Sequence, residues 1–150
     1  MTIAERLEQD LRKAMRAGDA LRVSTIRLAR AAIHNAEIEH GRALSDEEVQ
    51  EILAREMKRR REAIEAFGRG GRGDLVEKES LELAILTEYV PPPLTEGELA
   101  AIVAEAIAQV QANDARDLGR VMAAVMPRIK GRADGSTVNR LVREQLTKQR

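Results

Sequence analysis

Apolar residues recur every three to four positions at Ile3, Leu7, Leu11 and Met15, the spacing of one helix face. The same period returns at Val49, Ile52, Leu53, Arg60, Ile64 and Phe67, then at Val76, Leu83, Ile85, Leu86 and Tyr89. It appears again at Leu99, Ile102, Val103, Ala106, Ile107 and Val110. Leu21, Ile26, Leu28 and Ile33, with small alanine faces between them, predict a helix from Asp19 to about His40. Two further helices are expected. One runs over roughly Ala115–Met126, on Leu118, Val121, Met122, Val125 and Met126, and the other over Gly135–Thr147, on Val138, Leu141, Val142 and Leu146. No stretch alternates apolar and polar residues long enough for a convincing strand, so the predicted class is all-α.

The helix ends are marked as well. Thr2…Glu5, Ser45…Glu48, Asp74…Glu77 and Thr95…Glu98 fit the capping box, in which a hydroxyl or carboxylate accepts a backbone N–H and the acid three residues on reaches back. Gly18, Gly41 and Gly68 stand where helix C-caps belong. Pro91, Pro92 and Pro93 form the one stiff break, because a proline run neither continues a helix nor donates backbone hydrogen bonds. This organisation predicts an N-terminal bundle of about four helices over residues 1–90, a proline-rich linker over 91–94, and a small three-helix unit over 95–150.

Composition narrows the chemistry. Only Tyr89 and Phe67 are aromatic, so the core must be aliphatic. There is no cysteine, which excludes disulfides, thiolate metal sites and cysteine nucleophiles. No run approaches the roughly 18 apolar residues of a membrane span, and a membrane partner is not expected. The opening "MTIAERLEQD" carries three acids and no apolar run, unlike a secretory signal or a transit peptide, and the reading is a cytoplasmic protein. Charge divides the chain unevenly: Ala112 to Arg150 holds nine Lys/Arg against four Asp/Glu, a net of +5, and Met1 to Gln111 carries −5. A basic tail on an acidic body suggests a polyanionic partner for the tail.

"MPRIKGRADG" is the place where such a partner would bind. Pro127 is expected to end the preceding helix, Gly131 and Gly135 let the chain reverse, and Asp134 is a good N-cap for the last helix. A helix N-terminus offers unpaired N–H donors and a positive dipole end. Arg128, Lys130 and Arg132, at alternate positions beside it, compose a phosphate-backbone clamp; the same loop also reads as a solvated turn that keeps the bundle soluble. A second basic run, "REMKRRRE", places Arg55, Lys58, Arg59 and Glu62 on one helix face, with Arg60 and Arg61 pointing elsewhere. That face is either an auxiliary phosphate-contacting patch or a solvated surface laced by the pairs Glu56–Arg60 and Lys58–Glu62. With so few aromatics, stacking of bases on ring platforms is ruled out, and RNA contact must act on backbone and shape.

Catalytic candidates are poor. "GRGGRGD", Gly68 to Asp74, lacks the Gly-Lys-Ser/Thr ending of a phosphate-binding loop and follows a helix; it reads as a turn. His34 and His40 are six apart, not the i, i+4 pair of a helical metal site. Ser24, Ser45, Ser80 and Ser136 have no base nearby in sequence. No catalytic residue, metal ligand or cofactor is therefore assigned.

Residues 118–146, "LGRVMAAVMPRIKGRADGSTVNRLVREQL", resemble the tail domain of the B subunit of the glutamine-dependent aspartyl/glutamyl-tRNA amidotransferase. The resemblance to the YqeY family, stand-alone relatives of that tail, runs through nearly the whole chain. It is carried by "RLEQDLRKAMRAGDALRVSTIRLARAAI", "LSDEEV", "REMKRRREAIEAF" and "GRGDLVEKESLELAILTEYVPPPLTEGEL". It implies contact with tRNA, the task of that tail. Lys130, Arg132, Asp134 and Asn139 match its loop and helix start, and Gly119 and Met122 its preceding helix. Arg128, Arg140 and Arg143 complete the expected RNA-binding set. Gly135 stands where the pattern often has proline, and Ala123-Ala124 replace a frequent glycine. The family's label is carbon–nitrogen ligase activity with glutamine as amide donor, yet the residues do not support an enzyme acting alone. The expected function is a tRNA-binding module or accessory factor; the alternatives are a component of a transamidating complex and a helical protein–protein adapter built on the acidic bundle. Amidotransferase or aminoacyl-tRNA synthetase proteins are the expected protein partners, and DNA is not.

Overall fold

A single apolar stripe commits Ile3–Ala17 (α1) to one buried face, and Ile3, Leu7, Leu11 and Ala14 lie along it. The computed structural model describes residues 1–129 and 132–148. After α1 come α2 (Ala20–His40), α3 (Asp46–Arg69), α4 (Gly73–Thr87), α5 (Glu96–Val110), a 3-10 turn (Ala115–Asp117), α6 (Leu118–Ile129) and α7 (Gly135–Lys148). None of the described residues is in a strand, and the chain is all-α.

Two compact units divide the chain, Met1–Pro91 and Pro92–Arg150. In the first, α1 to α4 enclose Leu7, Ile26, Leu53 and Leu86 together with the one tyrosine, Tyr89. In the second, α5 to α7 enclose Val103, Val121, Val125, Ile129, Val138, Val142 and Leu146. Each fully buried aliphatic side chain contributes roughly 1.5–3 kcal/mol, which is how a chain without cysteine and nearly without aromatics holds two cores.

Three capping boxes form as their spacing predicts: Thr2 with Glu5, Ser45 with Glu48 and Thr95 with Glu98. Asp46, at the start of α3, reaches across and accepts the Ile3 N–H at 3.1 Å, so one acid serves two helix starts. The fourth expected box does not form. Helix α4 begins at Gly73, its N-cap Arg72 makes no side-chain cap bond, and Asp74 turns back to pair with Arg72 at 3.1 Å. A residue already inside the first turn cannot serve as the cap.

Gly18 and Gly41 end α1 and α2 in the left-handed conformation, at φ 69° and 67°. Gly68 does not end its helix. α3 continues to Arg69, Gly70 caps it, and Gly71 takes the left-handed turn at φ 70°. Pro127 likewise does not stop α6, which runs on to Ile129. Proline removes one N–H and crowds the carbonyl four residues back; here it sits on the exposed side, and burial of Ile129 draws the last turn inward.

Candidate nucleic-acid interface

The basic end of the chain is built from α5, α6 and α7. α7 buries Val138, Leu141, Val142 and Leu146, so its opposite side carries Ser136, Arg140, Arg143 and Thr147 into solvent. Gln145 Nε2 donates to the Ala100 carbonyl at 2.8 Å and pins α7 on α5. At the start of α7 the Val138 N–H bonds the Asp134 carbonyl at 3.1 Å, and Ser136 Oγ donates to Asp134 Oδ2 at 2.5 Å. Gly135 is the first helical residue.

The cations singled out by the sequence have different situations. Arg128 reaches α5, with Nη2 2.8 Å from Glu105 Oε2. It is thus a helical residue with a partner, not a loose one following a helix stop. Lys130 lies outside the described residues. Arg132 turns toward the proline run: its carbonyl accepts the Leu94 N–H at 2.9 Å, and its Nη2 sits 3.4 Å from the Pro92 carbonyl. Its Nε is enclosed without a hydrogen-bond partner among the described residues. Arg128 and Arg132 therefore hold different elements. Arg140 bonds Glu144 at 3.1 Å one turn on and Glu96 of α5, and both carboxylates hold its pKa above the ordinary guanidinium value. Arg143 Nε donates to Asn139 Oδ1 at 2.7 Å, leaving the rest of its fork to solvent.

Sequence reasoning did not pick out the acids that share this surface. Glu144 was readable as the i+4 partner of Arg140, whereas Glu96 and Glu105 lie on another helix and meet their arginines only in the fold. All three pairs are solvent-exposed, and exposed pairs contribute only about 0–1 kcal/mol each. Their arginines can exchange a carboxylate for a phosphate at small cost.

Arg55, Lys58 and Arg59, the second patch, belong to the first unit and are exposed on α3. Arg59 is 3.5 Å from Glu56, and the expected Lys58–Glu62 pair is not made. Arg60 breaks from the run and is buried. No cluster of three or more potential metal ligands occurs among the described residues, and no helix among them is long and apolar enough to cross a membrane.

The architecture defines a class: a cysteine-free, net-neutral chain of two helical units whose last two helices carry five Lys/Arg against one acid. The family described as Yqey-like protein matches residues 4–146, and the chain belongs to that family. Its relatives include proteins named altered inheritance of mitochondria protein 41, mitochondrial. The one from Pyrenophora tritici-repentis is 33% identical over 145 residues, covering 95% of this chain and 80% of the relative. Those of Eremothecium gossypii (40% over 98 residues) and Lachancea thermotolerans (34% over 108 residues) are matched over 54% and 58% of their own lengths, so the chain spans little more than half of each. Relatives named as mitochondrial overturn the expectation of a cytoplasmic protein. A location is read by receptors from an address, and the composition of one short opening stretch does not report it.

Proposed function

We propose that the chain binds structured RNA of the tRNA type through phosphate contacts made by its second unit. The observation that carries this reading is the exposed face of α7, where Arg140 and Arg143 project on the side opposite the core, beside the N-terminal turn that follows Lys130 and Arg132. Guanidinium forks bind phosphate oxygens in pairs, and a helix N-terminus adds oriented N–H donors. Arg128, Lys130, Asn139, Arg140 and Arg143 supply contacts to the backbone. Arg132 supplies charge and holds the loop against Pro92. Arg55, Lys58 and Arg59 form an auxiliary patch on the first unit.

The test is tRNA affinity of the full chain at two salt concentrations, for Arg140→Ala/Arg143→Ala and for Lys130→Ala/Arg132→Ala. Each lost phosphate contact should flatten the slope of log affinity against log salt by roughly 0.7–0.9. A parent chain that does not bind tRNA overturns the reading, as do variants with native melts and parental affinity and slope.

A further inference from the structure

We propose that the outer face of α1 and α2 is a self-complementary surface that pairs two copies of this chain about a two-fold axis. A groove of about 480 Å³ runs between these helices, with Glu5 and Glu8 of α1 on one side, Arg27 and Arg30 of α2 on the other, the buried Leu7 and Ile33 beneath, and the exposed Ala4 and Ala31 at its rim. The two walls are opposite in charge yet do not neutralise each other. Glu5 accepts the Thr2 N–H and Glu8 pairs with Arg12 at 2.8 Å, and neither Arg27 nor Arg30 has an ion-pair partner among the described residues.

The rest of α2 points the same way. Thr25, Ile26, Ala29 and Ile33 face the core, but Leu28 is 55% exposed and Ile38 66% exposed. Leu28, Ala31 and Ile38 are spaced by three and seven residues, which aligns them on one outward stripe. α2 therefore carries three apolar side chains on its outward side, interspersed with the exposed Ser24 and Asn35.

A second copy satisfies both features at once. A two-fold axis running along the groove lays α1 of each copy over α2 of the other, so the Glu5–Glu8 wall meets the Arg27–Arg30 wall twice. Glu37, the one acid on the α2 side of the groove, then faces the positive N-terminal end of the partner's α1. The face is two helix widths across and as long as the 15-residue α1, about 20 Å by 22 Å, or roughly 450 Å² per copy. That lies below the standard interface of about 800 Å² per partner, so the dimer is weak and concentration-dependent. An RNA would meet Glu5 and Glu8 as repulsion, which is why this groove takes protein.

Sedimentation of the full chain from micromolar to millimolar concentration tests the pairing. The parent should move from monomer toward dimer. Glu8→Arg alone, or Arg27→Glu/Arg30→Glu alone, should weaken self-association about tenfold or more, because like charges then face each other. An equimolar mixture of the two variants should recover dimer. Ala31→Glu, which puts a charge on the outward stripe that the partner's α1 would cover, should keep the chain monomeric. Glu5 is left intact because it closes the capping box of α1. A parent that stays monomeric at millimolar concentration, a dimer unmoved by these variants, or a mixture that fails to recover would each overturn the proposal.

Discussion

Arg60 Nε lies 3.3 Å from Glu82 Oε2, and both side chains are almost wholly removed from solvent between α3 and α4. Glu56 adds a second carboxylate to Arg60 Nη1 at 3.3 Å and its carbonyl at 3.1 Å, while Lys78 approaches Glu82 at 3.9 Å from the surface. The Arg60 Nε proton makes no well-aligned hydrogen bond despite the short separation, so Coulomb attraction joins the pair there. Removing one member leaves the other's buried charge only partly compensated, by Glu56 for Arg60 or by Lys78 for Glu82, so the cost is up to about 3–5 kcal/mol. Arg60→Ala and Glu82→Ala should each lower the urea midpoint sharply, whereas Arg60→Met with Glu82→Leu should recover most of the loss. Equal stability of the single variants and the parent would show that the pair is solvated.

Tyr89 is the one tyrosine in a chain without tryptophan, so tyrosinate absorbance reports a single site. Its hydroxyl donates to Asp10, and Arg6 lies over its ring, 5.0 Å from the centroid. Burial, and then the bond to Asp10, push its pKa above the ordinary 10.0. The folded value is raised, so the stabilisation is complete below about pH 10 and is lost as pH rises beyond it, where the unfolded chain ionises first. Tyrosinate should appear only together with unfolding, and Asp10→Asn should bring its onset to lower pH. Ionisation near pH 10 with helicity intact would contradict the buried site.

Ser45 and Asp74 look alike as helix starts and differ in the fold. Ser45 Oγ accepts the Glu48 N–H at 3.2 Å, whereas Asp74 lies inside the first turn of α4 and not at its N-cap. Ser45→Ala should destabilise by about 1 kcal/mol, and Asp74→Ala by much less, as read from thermal melts. Within the same box, the bonds from Arg42 and then from Ser45 lower the Glu48 pKa to about 2. A lowered folded value means stability present above the ordinary 4.5 and lost as pH falls toward 2. Arg42→Ala should therefore return the Glu48 carboxyl resonance toward an ordinary titration.

If Arg140 trades its carboxylates for phosphate, those carboxylates compete with RNA. Glu96→Gln/Glu144→Gln should tighten tRNA binding by a few-fold, since exposed pairs cost only about 0–1 kcal/mol to give up. The gain should shrink at high salt. Unchanged affinity would remove Arg140 from the contact surface.

The sequence by itself determined the local structure: the helical periods, the capping boxes at Thr2, Ser45 and Thr95, the left-handed glycines at 18 and 41, and a core without aromatic stacking. Those are short-range properties, set by side-chain spacing within a turn or two of backbone. The family, too, was readable in the order of its motifs. Tertiary structure decided which periodic positions were apolar by necessity. Arg60 falls on the buried phase of α3 and is tolerated only because Glu82 comes to it from another helix. It also decided that Pro127 stays within its helix, where burial of Ile129 outweighs a local breaking tendency, and that α3 runs one residue past Gly68 before Gly70 caps it. Finally, the partners of the basic residues, Glu105 for Arg128, Pro92 for Arg132 and Glu96 for Arg140, are 23, 40 and 44 residues away in sequence. Charge spacing along a chain says nothing of such pairs, since they exist only once the helices carrying them have packed.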